Sequence, residues 1–176
     1  MGKSDIQWRV EHDDIRIDLR LDLAKEDTVE LWSADVTNLT ERKRNISLYP
    51  YFTVGYMSWM NQSAKFSKEL NAIVCKCVTP YQKYQDYDKI RHLKDLTFLL
   101  SDQKPDGFET IQQDFEGEGG LHNPSGISNA RLQGGESLYE TPVCAFQYDW
   151  ALEPGETKNL KLVFGPSKTY EEVAAI

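Results

Sequence analysis

The stretch Ile15-Arg16-Ile17-Asp18-Leu19-Arg20-Leu21-Asp22-Leu23 sets five apolar side chains in strict alternation with four charged ones. Successive side chains of an extended chain point to opposite faces, so this spacing buries one face and leaves the other in water. It predicts a half-buried β-strand over 15–23. Asp13-Asp14 precedes it, and Lys25-Glu26-Asp27 follows as a turn.

Working outward, Thr28 to Asn38 is rich in Val, Leu and Trp and ends at the turn-like Asn38-Leu39-Thr40-Glu41. Arg44 to Val54 is a third strand region; Pro50 inside it cannot donate to a ladder and must sit at an edge or a bulge. Further strands are expected at 72–78, 96–101, 142–150 and 158–164. The last two flank Leu152-Glu153-Pro154-Gly155-Glu156, whose Pro-Gly predicts a turn between paired strands. Many short strands separated by turns, with little 3.6-residue periodicity, indicate an all-β sandwich or barrel.

Two stretches fit that pattern poorly. Tyr81 to His92 is polar and aromatic without alternation, and 112–135 holds six of the eleven glycines. A loop that long is uncommon in a compact domain and often functional; a surface excursion is the plainer alternative. At 167–176 a helix is expected, capped by Ser167 or Thr169 with acids in its first turn. The chain ends there without a stop signal, which leads to the expectation of a truncated linker helix and of a chain that is one piece of a larger protein.

A chain of 176 residues is one domain, long enough to bury a core without staples. A formal charge of −8 and a pI near 4.9 argue against nucleic acid or an anionic membrane as partner. No apolar run approaches the length of a bilayer span, and the N-terminus lacks a secretory signal. Cys75, Cys77 and Cys144 are odd in number and make no disulfide framework. They read as buried thiols in a reducing compartment, so the expected location is cytoplasmic. The sequons at Asn38, Asn45 and Asn61 read as chance or strand-end chemistry.

Candidate chemistry is sparse. Asp114, Glu116 and Glu118 lie within five residues, but a glycosidase pair is defined by separation in space, and solvated loop charge is the plainer reading. His12, His92 and His122 have no metal-ligand spacing, and no nucleophile elbow, phosphate loop or dinucleotide motif occurs, so no cofactor and no metal are expected. Aromatics are denser: Tyr49, Tyr51, Phe52, Tyr56 and Trp59 crowd one stretch, and Tyr81, Tyr84 and Tyr87 recur at every third position. Core packing, a protein interface and sugar contact all remain open for them. Tyr56, Trp59, Asn61, Tyr81 and Tyr84 are the candidate ligand-binding residues.

Val29-Glu30-Leu31-Trp32 leading to Val36-Thr37-Asn38, then Arg42-Lys43-Arg44 and Ser47-Leu48-Tyr49, resembles a sandwich element of glycoside hydrolase family 94, which includes the cellobiose and chitobiose phosphorylases and was formerly glycosyltransferase family 36. Tyr139-Glu140-Thr141-Pro142-Val143, Leu152 to Glu156, Val163-Phe164-Gly165 and Phe115-Glu116-Gly117 are similar to that family as well. Members usually show a Glu shortly after the Leu48-Tyr49 strand, whereas Tyr49 to Gly55 contains no acid.

The resemblance implies an antiparallel supersandwich of the galactose mutarotase-like type. Its implied layout is an N-terminal extension at 1–14, the β-sandwich at 15–166 and the start of a linker helix at 167–176. It further implies that a catalytic helical (α/α)₆ barrel of the same chain supplies the general acid, and that the sandwich shapes the sugar-binding rim and the interface of a homodimer. Oligosaccharide would then be met through the full-length enzyme, a glycoside phosphorylase or glycosidase, and no catalytic residue carries over to this chain. A free-standing carbohydrate-binding module is the alternative, and a mutarotase-like enzyme a third reading.

Overall fold

The computed structural model describes residues 5–54, 62–77 and 96–176. Twelve strands dominate it: β1 (Asp5–His12), β2 (Ile15–Leu23), β3 (Glu30–Asn38), β4 (Arg44–Leu48), β5 (Tyr51–Thr53), β6 (Gln62–Ser67), β7 (Ala72–Cys77), β8 (Leu96–Ser101), β9 (Gly107–Ile111), β10 (Ser137–Leu138), β11 (Pro142–Leu152) and β12 (Thr157–Ser167). Among the described residues two short helices, α1 (Gln112–Glu116) and α2 (Tyr170–Ala174), and two 3₁₀ turns accompany the strands. The fold is the all-β antiparallel sandwich that the alternation predicted.

The alternating stretch is β2, at the residues expected. Residues 5–12, ahead of the expected sandwich boundary, form β1, which pairs with β2 from Asp5↔Asp22 to His12↔Ile15. The connection is two residues, Asp13 and Asp14, at φ 48 and 58. Positive φ at both central positions is what a tight hairpin with right-twisted strands demands, and Asp tolerates it better than most residues. The large sheet runs β1-β2-β3-β12-β8-β7-β6-β10.

In the second sheet β4, β5 and β9 all pair with β11. Leu48 faces Tyr148 and Tyr51 faces Ala145, so β4 and β5 are one strand in one register, interrupted at Pro50. Pro50 lacks the donor, yet its carbonyl still accepts from Phe146 N at 3.1 Å. The break is therefore confined to one missing bond on an edge, as its chemistry requires.

The Pro154-Gly155 turn departs from expectation. β11 and β12 do not pair; β11 belongs to the second sheet, whereas β12 lies between β3 and β8 in the large one. The turn is a corner that carries the chain from one sheet to the other. Asn38 holds it: its Nδ2 donates to the carbonyls of Arg42, Leu152 and Glu153 at 2.8, 3.1 and 3.1 Å, and its Oδ1 accepts from Thr40 N and Oγ1. Its backbone also accepts from Gly155 N and donates to Glu156 O. The fully buried Asn38 side chain thus does strand-end work, the reading given to its sequon.

Period-two alternation sets the layers. Ile73, Cys75, Leu99, Leu160 and Leu162 of the large sheet meet Cys144, Phe146, Tyr148, Trp150 and Leu152 of β11 in the central core. The intervening residues Ala72, Val74 and Phe98 face outward and are covered by Val173 of α2. Thr169 caps that helix by accepting from Glu172 N at 3.3 Å, while the Glu172 carboxylate accepts from Lys168 N and Ser167 Oγ. This reciprocal cap holds a helix too short to stand alone. Gly165 has no room for a side chain: a Cβ there would lie 2.6 Å from Val29 Cγ1.

Among the described residues no helix is long and apolar enough to cross a membrane. Cys75 and Cys144 approach across the two sheets to an Sγ–Sγ distance of 3.5 Å as free thiols. The hydrogen bond between them and their burial push the Cys75 thiol well above its ordinary range. Burial pushes the Cys77 thiol up to about 12.

Candidate functional surfaces

The glycine-rich segment is folded. α1 and the 3₁₀ turns Gly117–His122 and Ser125–Ser128 form a cap on the outer face of the second sheet. Phe115, 3% exposed, is its apolar anchor, packing with Leu132 and Ala145 and against Tyr49 and Tyr51. The Tyr51 ring stacks on Phe115 at 4.7 Å. The Tyr51 hydroxyl donates to the Glu116 carboxylate, which also accepts from Gln112 Nε2 at 2.9 Å. Burial, and this bond to a carboxylate, raise the Tyr51 pKa.

Gln147, fully buried on β11, stitches the far end of the cap. Its Oε1 accepts from Leu132 N at 2.8 Å, and its Nε2 donates to Ala130 O and to Asp149. At Gly117, φ is +58 and a Cβ would sit 2.2 Å from Ser125 Oγ, so glycine is obligatory where the cap doubles back.

Between cap and sheet lies a polar cleft of about 680 Å³, lined by Glu109, Asp114, Glu118, Asn123, Asn129 and Gln133 among others. Among the described residues its lining has no Lys, Arg or His. The acids Glu109, Asp114 and Glu118 make it a poor setting for phosphate or carboxylate groups, whereas neutral hydroxyls meet no such repulsion. Glu109 is 4% exposed, and its Oε1 accepts from Thr110 N and Ile111 N. Burial raises its pKa and the backbone donors partly oppose this. Of the acids singled out in sequence, Asp114 and Glu118 line the cleft, whereas Glu116 is a strut.

A second hollow of about 490 Å³ lies between the inner face of β2–β3 and the β4/β5 strand, lined by Ile17, Leu19, Trp32, Ala34, Phe52 and Leu162 among others. Its described lining is mostly apolar and has no charged side chain, so it suits an apolar partner better than a sugar. Phe52 belongs to the core here, stacked on Phe164 at 4.9 Å. Beside the hollow Trp8 stacks on Trp32 at 5.9 Å, and Ile6, Trp8 and Val10 of β1 are 53, 43 and 59% exposed.

The candidate ligand residues Tyr56, Trp59, Asn61, Tyr81 and Tyr84 lie outside the described residues, as does His92. His12 is exposed beside Asp13. Among the described residues no three His, Cys, Asp or Glu side chains are grouped to hold a metal. Three features were not picked out from sequence: Glu109, Gln147 and the apolar row of β1. Only the last carried a signal, since Ile6, Trp8 and Val10 alternate with Gln7, Arg9 and Glu11.

A large antiparallel sheet facing a smaller one defines the chain as a supersandwich-class β domain. The family described as glycosyl hydrolase 94, supersandwich domain, matches residues 1–176, and the chain belongs to it. It is 48% identical over 175 residues to the cellobionic acid phosphorylase of Neurospora crassa, covering 99% of this chain and 22% of that protein. It is 25% identical over 146 residues to the 3-O-beta-D-glucopyranosyl-beta-D-glucuronide phosphorylase of Paenibacillus borealis, covering 82% and 19%. The chain thus spans about a fifth of these relatives. A solved polysaccharide lyase shares the fold with TM-score 0.56 and 14% identity, over 95% of this chain and 22% of its own.

Proposed function

We infer that this chain is the non-catalytic supersandwich domain of a larger carbohydrate phosphorylase whose substrate is cellobionic acid or a close β-glucosyl aldonate. The 48% identity across 99% of the chain to an enzyme of that name carries the reading. The geometry agrees with a supporting role. Glu116 and the Leu132 amide of the cap are spent on holding it to β5 and β11, and the described lining of its cleft carries acids, unsuited to phosphate or an aldonate. Phosphate and substrate are then handled by a catalytic helical barrel of the same polypeptide, with the sandwich shaping the rim and one face of a homodimer. The setting is cytoplasmic, in keeping with free thiols. Residues 1–14, 15–166 and 167–176 act as extension, sandwich and linker start, with β1 of the extension added to the sheet. Tyr56, Trp59, Asn61, Tyr81 and Tyr84 are the residues proposed for the rim.

A carbohydrate-binding module would instead hold sugar unaided. Thermal melting of the isolated chain with millimolar cellobionic acid or cello-oligosaccharide separates the two, because a ligand bound only by the folded state must raise the melting temperature. The phosphorylase-domain reading expects no shift and no consumption of phosphate. A saturable rise in melting temperature favours the module.

A further inference from the structure

We propose that Cys75 and Cys144 form an oxidation site, which a small uncharged peroxide converts into a disulfide joining the two sheets. Cys75 lies on β7 of the large sheet and Cys144 on β11 of the second, and their sulfurs meet across the core at 3.5 Å. Both are free thiols and both are fully buried. A disulfide needs the sulfurs about 1.5 Å closer, a movement within reach of side-chain rotation. The cross-strand neighbour of Cys75 on β6 is Ala64, so no bulky side chain stands beside it there. Cys77 lies on the same face two residues on, but it is only half-buried and its sulfur faces the Val54 carbonyl at 4.0 Å.

The chemistry closes on the pair. One sulfur, as thiolate, attacks the O–O bond of hydrogen peroxide, giving a sulfenic acid and a hydroxide that the thiol proton turns to water. The second sulfur then displaces the sulfenic oxygen, which leaves as another water. Two thiols are oxidised to one disulfide while one peroxide is reduced to two waters. A sulfur in contact captures the sulfenic acid before it oxidises further. Burial sets the rate: it disfavours the thiolate and shuts out charged or bulky reagents, so the oxidant must be small and neutral and the reaction is slow. The same burial then shields the disulfide, because reduction needs direct attack on a sulfur. The pair is therefore a lasting record of oxidation. Its partners are 69 positions apart, and closing a loop that long stabilises the fold by restricting the unfolded chain.

The reduced, folded chain is treated with hydrogen peroxide, remaining thiols are alkylated in denaturant, and the peptides are mapped by mass spectrometry. A Cys75–Cys144 linked peptide is expected, in Cys77→Ser as well as in the parent, together with a higher urea midpoint. Glutathione should reduce the link at least about tenfold faster once urea unfolds the chain, since only opening exposes it. If Cys75 and Cys144 are still alkylated after Cys77 has been fully oxidised, the pair is not an oxidation site. A link between Cys75 and Cys77, or equal reduction rates in the folded and unfolded chain, also overturns the proposal.

Discussion

Replacing Asn38 by alanine removes the group that ties the end of β3 to the corner where the chain changes sheets. The side chain is fully buried and serves three carbonyls and Thr40. Arg42 O and Glu153 O lie in half-buried bonds that water can replace, but Leu152 O sits in a buried one. Hydrogen bonds worth about 1 kcal/mol net, together with a penalty of about 1–3 kcal/mol for an orphaned buried carbonyl, give a loss of about 3–5 kcal/mol. Against a typical domain stability of about 5–15 kcal/mol, the variant should fold but with a much lower urea midpoint.

Asn38→Asp sharpens the test. It keeps an acceptor for Thr40 but turns a second oxygen toward three carbonyls, which disfavours the ionised form and raises the folded-state pKa above the unfolded value of about 3.9. Stability that depends on such a raised group is present below the unfolded pKa and lost as pH rises through the folded one. The Asp variant should therefore lie nearest the parent in acid and fall furthest below it at neutral pH. Asn45→Ala, at an exposed position on β4, is the control and should change stability by no more than about 0.5 kcal/mol. If Asn38→Ala matches Asn45→Ala, or Asn38→Asp equals the parent at neutral pH, the corner is not held as described.

Three further outcomes are expected. Glu109 has a raised pKa from burial, so the stability it contributes is present in acid and lost as pH rises; Glu109→Gln should flatten the pH dependence of the urea midpoint from acid to neutral, and a steeper dependence would contradict this. Phe115→Ala should cost about 3–5 kcal/mol if the cap and sandwich unfold together, and hydrogen exchange should show residues 112–135 opening first; unchanged protection there would deny Phe115 its anchoring role. Cys75 and Cys144 are fully buried, so a disulfide-exchange reagent should titrate at most Cys77 in the folded protein and all three thiols in denaturant. Rapid reaction of three thiols under native conditions would rule out the packed two-sheet core.

Strands with one face in the core were legible because alternation is a local signal: β2, β3 and β8 lie close to where their side chains place them. The capped α2 was legible for the same reason. β1 carries the same alternation but was assigned to an extension, since nothing local distinguishes a hairpin partner from a tail. β6, Gln-Ser-Ala-Lys-Phe-Ser, and β9, Gly-Phe-Glu-Thr-Ile, were missed because small and polar residues pack at positions whose burial is set by distant strands. The Pro154-Gly155 turn was misjudged because a tight turn is equally compatible with a hairpin and with a sheet-to-sheet corner. What decides is the Asn38 amide, contributed from 115 residues away along the chain. The cap read as a long functional loop or a surface excursion because its glycines hide its anchors: one Phe, one Tyr–Glu bond and one buried Gln.

The most direct test of the functional reading exchanges domains. In the cellobionic acid phosphorylase of Neurospora crassa, the 175 matching residues are replaced by this chain, and phosphate-dependent cleavage of cellobionic acid is followed beside a variant lacking them. A supporting domain of the same enzyme class predicts that the exchanged protein retains phosphorolysis and the deletion loses it. A folded, soluble exchange protein without activity, or a deletion that remains active, would contradict the account.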